Sequence, residues 1–393
     1  MVTVQQAITL IRTSVHALES ESIPVDEAIG RVVAETVYAK TDFPPFHQSA
    51  MDGYAVNGVE GTEKFSIIGE LKAGDSGEYV SLSAGEAVRI FTGAMLPNNT
   101  LAVVKQEDVS VQNNHLIIDK PFRHGDHIRR KGEQIQRDDL VLDKHTVLRP
   151  GTVGFLLMLG ISEVKVFRKP NVFVLATGSE LVKPGELPLP GQIHESNAGM
   201  LKAALQSFDF KCDTQMVRDD FSAIKEILRN AIDTHDLVLV TGGVSVGDYD
   251  FVAEVLNELK VEECFYKVKQ KPGKPLFFGV KDAVSVFGMP GNPAAVLTSF
   301  YNYVLPALQI MTGRKESFLL EKKAKLKNDV DKSATLSLFL KGKTIGEEVE
   351  VMEAQSSAML RAFVQADCLI SLPEGITTFK KGEVVKLIML PTV

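Results

Sequence analysis

The chain has 393 residues, of which 45% are hydrophobic and 24% charged, values typical of a globular protein with two to four domains. Its net charge of −7 argues against a nucleic-acid partner held by bulk electrostatics. Three widely spaced cysteines predict neither a disulfide framework nor a zinc site, which fits a reducing compartment. The longest apolar run, Val153 to Ile161, is too short to span a bilayer, and the N-terminus has no signal pattern. We therefore expect a soluble cytoplasmic protein without a membrane or nucleic-acid partner.

The first 168 residues change character twice. Residues 3–18 carry apolar side chains at helical spacing and predict an amphipathic helix. From about residue 44 to 136 the runs become short and β-like, and Asn113-Asn114 predicts a hairpin between two of them. A further helix is predicted from Arg149, with Pro150 in its first turn.

Residues 170–313 alternate between strands and helices. Strands are predicted at 172–176, 237–240 and 284–287, and helices at 197–208, 221–232 and onward from Pro293, with Asn292 as the cap. This alternation predicts a parallel sheet with helices on both faces. Residues 318–393 return to short alternating strands and predict a small β-domain.

Three polar loops directly follow the three predicted strands, at 177–180, 241–248 and 290–293. The carboxyl ends of parallel strands share one edge, so these loops are candidates for one ligand site. In the second loop, glycines could turn backbone N–H groups toward an anion, and Asp248 and Asp250 could hold a cation such as Mg²⁺. By itself that loop could equally be a structural turn with an acidic helix cap. Together, the three loops favour a ligand that carries phosphate.

Neither a Walker A motif nor G-x-G-x-x-G is present, which removes the main support for P-loop and dinucleotide-binding interpretations. Residues 267–275 gather four lysines around a Pro-Gly turn and could neutralise phosphates, although they could also be a solvated charge run. Arg129-Arg130-Lys131 is a candidate anion contact, while His124 and His127 resemble metal ligands only weakly.

Four motifs together resemble the MoeA family, which includes the gephyrin E domain. They are Ser49-Ala-Met-Asp-Gly-Tyr-Ala-Val56, Thr241-Gly-Gly-Val-Ser-Val-Gly-Asp248, Lys271-Pro-Gly-Lys-Pro275 and Gly288-Met-Pro-Gly-Asn-Pro293. The resemblance runs in order through nearly the whole chain.

The resemblance implies a multidomain α/β fold in four parts. Residues 1–43 plus 137–168 would form a discontinuous helical linker domain, interrupted by a β-rich domain at 44–136. Residues 169–314 would form a three-layer α/β molybdopterin-binding domain, and 315–393 a C-terminal β-barrel.

The resemblance also implies an activity. Members of the family are molybdopterin molybdenumtransferases, which take adenylylated molybdopterin and molybdate as substrates, use a divalent cation such as Mg²⁺ and release AMP. They work as homodimers with an active site shared between subunits. A molybdopterin adenylyltransferase would be a partner.

Site residues are carried over position by position. The resemblance implies roles in activity for Asp52, Thr92, Glu180, Asp219 and Asp250. It implies substrate binding by Arg129, Arg130, Thr241, Gly242, Gly243, Ser245, Gly247, Lys267, Lys271, Lys274, Pro290, Gly291, Asn292, Pro293 and Ser357, and metal binding by Asp248, Asp250 and Glu180. Several acids compete for the role of general base.

The chain departs from the family pattern at Gln134 and Ser179, where relatives carry acids, and at Ala358, where they carry glycine. Two rival functions stay open. One is an adenylyltransferase that activates molybdopterin with ATP, and the other is a non-catalytic scaffold.

Overall fold

The computed structural model describes residues 1–243 and 251–391. The chain forms two compact units, one built from Met1–Ser22 with Lys165–Val393 and the other from Ile23–Val164. The predicted multidomain α/β class, with β-rich domains beside an α/β domain, is confirmed. The four-part boundaries stay a prediction.

The unit Ile23–Val164 is built around a six-stranded mixed sheet. In spatial order its strands are Ala102–Lys105, Gly53–Asn57, Glu86–Ile90, Lys64–Leu71, His115–Ile118 and Val109–Gln112. Alternate side chains, such as Ala55 and Val56, are buried on its opposite faces. The predicted hairpin is confirmed, because Asn113 and Asn114 both have positive φ between the last two strands. Strands Gln48–Ser49 and Ile128–Arg129, strands Val37–Tyr38 and Leu140–Leu142, and the helix Pro150–Met158 complete this unit.

The other unit contains a second six-stranded sheet, which we call the central sheet. Its strands in spatial order are Cys212–Val217, Val172–Thr177, Leu237–Thr241, Val284–Met289, Phe277–Lys281 and Glu262–Tyr266. The three predicted strands run parallel, as does Cys212–Val217, which was not predicted, whereas Phe277–Lys281 pairs antiparallel with both of its neighbours. The wholly parallel prediction was wrong at that edge because a tight turn at Asp282 and Ala283 returns the chain directly beside the preceding strand.

Helices cover both faces of the central sheet and give three layers. One face packs against Val4–Ser14, Asn197–Gln206 and the long helix from Pro293, and the other against Phe221–Thr234 and Phe251–Glu258. The long helix runs as α-helix Pro293–Ser299, π-helix Phe300–Val304 and α-helix Leu305–Met311. It is long and apolar enough to cross a membrane, but 78% of its apolar window is buried inside the protein, as in a core helix.

The C-terminal region is a closed five-stranded barrel. Its strands are Glu321–Leu326, Glu348–Val351, Ser337–Ile345, Cys368–Leu372 and Val384–Met389, and the last pairs with the first to close the ring. A short strand, Gln270–Lys271, joins it from outside by pairing with Ser337 and Leu338 in parallel. Val330–Asp331 and Thr378–Phe379 form a separate pair.

Candidate functional site

A cavity of about 690 Å³ lies at the carboxyl edge of the parallel strands. We call it the loop cavity. The loops after Thr177, Thr241 and Met289 line it together with the segment 193–197, the lysine-rich turn 270–275 and two barrel residues, Leu336 and Ser357. Among the predicted site residues the lining contains Glu180, Asp219, Thr241, Gly242, Gly243, Lys271, Lys274, Pro290, Gly291, Asn292, Pro293 and Ser357.

Glycines bring the three loops into backbone contact. Gly242 has φ of +87°, and a β-carbon there would lie 2.3 Å from the carbonyl oxygen of Thr177. On the other side, a β-carbon at Gly291 would lie 4.0 Å from Cα of Gly242. Only glycine fits at position 242, so the backbone itself forms the floor of the cavity there.

The acidic side of the cavity is held by reciprocal hydrogen bonds. The backbone N–H of Ser179 donates to Oδ2 of Asp219 at 2.9 Å, and the N–H of Asp219 donates to Oγ of Ser179 at 3.2 Å. Ser179 therefore anchors Asp219. The carboxylate of Glu180 has no hydrogen-bond or ion-pair partner in the described part of the chain, so its oxygens can accept a ligand.

The basic side of the cavity is the turn Lys271-Pro-Gly-Lys274. Both lysines are exposed and line the cavity, whereas Pro272 and Gly273 between them are buried. Within the described ranges neither lysine has a carboxylate at ion-pair distance. Lys267, which was predicted with them, does not line the cavity, and its Nζ lies 4.8 Å from the ring centre of Tyr266.

Asn292 joins the sheet edge to the barrel. It occupies the N-cap position of the long helix as predicted, but its side chain donates to Oγ of Ser357 at 3.0 Å and does not cap the helix. The carbonyl of Ser357 accepts from the N–H of Ala295 at 3.2 Å. Ala358 is exposed and has no positive φ, so alanine meets no backbone constraint there.

Several lining residues were missed from the sequence. Asn197 donates from Nδ2 to the carbonyl of Gly291 at 2.8 Å, and Gln270 is completely buried beneath the lysines. Asn197 was predicted only as the first residue of a helix. Its place at the first position of a helix was the available signal.

The sequence also did not predict the burial of Lys341, which does not line the loop cavity. It is fully buried in the barrel strand Ser337–Ile345, its Nζ lies 3.5 Å from the carbonyl of Ser356, and burial lowers its pKa to about 8. In a strand whose side chains alternate between two faces, the sequence around Lys341 looks the same as that around a lysine exposed on the surface.

Four predicted residues, Ser245, Gly247, Asp248 and Asp250, lie outside the described residues. In the described ranges no group of three or more His, Cys, Asp or Glu side chains is placed to hold a metal. The predicted metal contacts of Asp248, Asp250 and Glu180 therefore stay predictions.

The unit Ile23–Val164 presents a second group of predicted residues. Oδ1 of Asp52 accepts from the backbone N–H of Thr92 at 2.8 Å and from its hydroxyl at 2.7 Å. These two bonds, helped by the charge of Arg89, lower the pKa of the Asp52 carboxyl below its usual value. A β-carbon at Gly53 would lie 2.0 Å from the carbonyl of Val104, so the close approach of the neighbouring strand requires glycine directly after Asp52.

Arg89 is a further residue that the sequence did not reveal. Its guanidinium lies 5.0 Å from the ring centres of both Tyr54 and Phe91, and it donates to the carbonyl of Gly53 at 3.2 Å. Arg89 therefore helps to hold in place the backbone that directly follows Asp52.

The predicted arginines Arg129 and Arg130 are both exposed. Arg129 pairs with Gln48 in a two-stranded antiparallel ladder. Gln48 stands four residues before Asp52 in the chain. The N–H of Lys131 donates to Nδ1 of His47 at 3.1 Å.

Comparison with known proteins matches three family models in order along the chain. They are the MoeA N-terminal region (domain I and II) over residues 2–160, a probable molybdopterin binding domain over 173–310 and the MoeA C-terminal region (domain IV) over 323–390.

Relatives match over nearly their whole length. A molybdopterin molybdenumtransferase of Staphylococcus aureus (strain N315) is 32% identical over 98% of this chain and 95% of its own, and one of Staphylococcus epidermidis (strain ATCC 12228 / FDA PCI 1200) is 33% identical over 99% and 95%. The crystal structure of the molybdopterin biosynthesis moeA protein from Pyrococcus horikoshii OT3 has a TM-score of 0.83 at 30% identity, with 99% of this chain and 100% of that chain covered. With matched regions from end to end and a relative 32% identical over nearly its full length, the chain belongs to the MoeA family.

Proposed function

We propose that this protein is a molybdopterin molybdenumtransferase. It inserts molybdenum from molybdate into adenylylated molybdopterin and releases AMP, which is the last step of molybdenum cofactor biosynthesis. The full-length relatives that carry this name support the assignment.

The loop cavity is the observation that carries the proposal. Two lysines that have no carboxylate partner among the described residues and a floor of glycine backbone suit the phosphates of the adenylylated pterin. Glu180 and Asp219 lie on the lining as well, where carboxylates can orient the water that attacks the phosphoanhydride. The same lining therefore offers charge neutralisation for the leaving AMP and a group to accept a proton.

We propose Mg²⁺ as the divalent cation. Hard oxygen donors are the ligands that it prefers, and Glu180 supplies one carboxylate that is not engaged with any described residue. Asp248 and Asp250 would be the other ligands. The bound ion would neutralise phosphate charge, while Lys271 and Lys274 hold the phosphates in place.

We further propose that the protein works in the cytoplasm as a homodimer whose active site is shared between subunits. In this arrangement Asp52, Thr92, Arg129 and Arg130 would act with the loop cavity of the partner subunit. A molybdopterin adenylyltransferase would supply the activated pterin. The three cysteines, Cys212, Cys264 and Cys368, are all free thiols, which agrees with a reducing compartment.

The test is an AMP-release assay with purified protein and adenylylated molybdopterin. We expect AMP to be released only when molybdate is added. The same reaction should produce a cofactor that activates an apo-molybdoenzyme. Release of pyrophosphate from ATP and unloaded molybdopterin would identify an adenylyltransferase instead. Absence of both reactions, with Asp52→Ala still supporting molybdoenzyme activity in cells, would leave the scaffold role.

A further inference from the structure

A buried polar chain lies directly beneath the lysine turn of the loop cavity. The hydroxyl of Tyr303 donates to Oε1 of Gln270, and Nε2 of Gln270 donates to the carbonyl of Gly273 at 2.9 Å. Tyr303 and Gln270 are both completely buried. The chain therefore begins in the long core helix and ends on the turn residue that separates Lys271 from Lys274.

The turn has no free space below it. A β-carbon at Gly273 would lie 2.9 Å from Oγ of Ser299 and 3.1 Å from Nε2 of Gln270. Gly273 also has φ of +81°, which favours glycine. The turn thus packs against side chains of the helix and of Gln270. The positions of both lysines in the cavity depend on those contacts.

The long helix contacts the lysine turn at two places along its length. Ala295 and Ser299 lie near Gly273, and Tyr303 contacts Gln270. Ser299 and Tyr303 are four residues apart, as are Ala295 and Ser299, and the carbonyl of Ala295 lies 3.5 Å from the same β-carbon position. In an α-helix each step of four residues rotates about 40° past a full turn. A π turn contains more residues, so the same step falls short of a full turn. The π segment Phe300–Val304 therefore opposes this rotation between Ser299 and Tyr303.

Because these side chains are buried, the loss of one hydrogen bond affects the next one. Neither Oε1 nor Nε2 of Gln270 can turn to water when its partner is lost, and a buried polar group without a partner is costly. If the Tyr303 hydroxyl were missing, Gln270 would shift to find another partner and would release the Gly273 carbonyl. Both lysines would then lose their fixed spacing.

We infer that Tyr303, acting through Gln270, is a positioning residue that presents Lys271 and Lys274 to the substrate's phosphates. The inference rests on the proposed function for the identity of the ligand. Neither Tyr303 nor Gln270 reacts, and their role is to fix the geometry of two binding residues.

The experiment compares Tyr303→Phe with Tyr301→Phe. Tyr301 is in the same π segment but lines a different groove, so its variant is a matched control. In the AMP-release assay, Tyr303→Phe should raise KM for adenylylated molybdopterin roughly 5- to 10-fold, the effect of one lost buried hydrogen bond, and leave kcat within about twofold. Tyr301→Phe should match the wild type. An unchanged KM in Tyr303→Phe would overturn the inference, as would a fall in kcat that follows loss of folded protein.

A second readout does not depend on activity. Hydrogen–deuterium exchange of a peptide spanning residues 267–276 should be faster in Tyr303→Phe than in the wild type and unchanged in Tyr301→Phe. If the wild-type protein releases no AMP, the proposed function fails while this exchange measurement still decides the positioning role. Equal exchange in all three proteins would refute it.

Discussion

At the scale of single residues, Thr92 lowers the pKa of the Asp52 carboxyl through two hydrogen bonds. Thr92→Val removes the hydroxyl bond and keeps the backbone bond, so we expect the Asp52 pKa to rise part of the way toward its usual value. Thr92→Ser should keep the wild-type pKa. Carbon-13 NMR titration of the Asp52 carboxyl measures it, and equal values in all three proteins would contradict the assignment.

The sign of the pH effect on activity follows from this. A carboxylate with a lowered pKa stays charged to a lower pH, so activity that needs charged Asp52 should persist further into acid in the wild type. In Thr92→Val the acid limb of the pH profile should move to higher pH, and in Thr92→Ser it should not.

Lys341 gives a second prediction at this scale. Its pKa of about 8 lies below the ordinary lysine value of 10.5, so between these values the unfolded chain binds more protons than the folded protein. The contribution of this group to stability therefore rises as pH increases from about 8 to about 10.5. We expect Lys341→Met to lack that rise in urea unfolding at pH 7 and pH 9.5, while exposed Lys323→Met retains it. A parallel pH response in both variants would show that Lys341 is not the cause.

These two residues also mark how far sequence reasoning reaches. Asp52 was found because it stands in a motif that resembles a family, whereas its Thr92 contact spans 40 positions that no local pattern connects. Lys341 has no such motif, and in an alternating strand its burial depends on which face the barrel closes over.

At the scale of elements, the glycine after the strand Leu237–Thr241 determines how closely the loops approach. Gly242→Ala would place alanine at a positive φ and its β-carbon 2.3 Å from the carbonyl oxygen of Thr177. Gly346→Ala is a matched control, because Gly346 has φ of +60° but nothing within 4 Å of the added carbon. We expect the control to lose about 1 kcal/mol of unfolding free energy and Gly242→Ala about 3 kcal/mol or more. Equal losses in denaturant unfolding would show that the close approach carries no weight.

Periodicity predicted the strands at 172–176, 237–240 and 284–287 because parallel strands buried on both faces read as unbroken apolar runs. It missed Glu262–Tyr266, which begins with two exposed acids at the sheet edge. The π segment was also invisible, since its residues are helix-compatible and its extra width follows from packing.

At the scale of the whole molecule, the proposed shared active site predicts complementation between two inactive variants. Asp52→Ala and Glu180→Ala remove groups from different units of the chain. After the subunits are unfolded and refolded together, half of the dimers should be mixed, with one intact site of two, so about one quarter of wild-type AMP release should return. Each variant refolded alone is the control. No recovery in a mixture shown to contain mixed dimers would mean that both residues act within one subunit.

The arrangement of distant segments was the least predictable level. The sequence indicated three loops at one sheet edge, and described residues of all three line the loop cavity. It did not indicate that Asn292 would donate a hydrogen bond to Ser357, or that Lys267 would lie outside the cavity lining, against the ring of Tyr266. Contacts of this kind depend on packing between segments whose local patterns are independent.

The strand Gln270–Lys271 limits how this enzyme can be dissected. It belongs to the lysine turn, yet its hydrogen-bonding neighbour is the barrel strand that begins at Ser337. A fragment ending at residue 314 would retain every lysine of the turn but expose an unpaired edge beside them. Chimeras that exchange C-terminal regions between relatives should therefore be joined so that residues 268–275 and 336–341 come from the same parent.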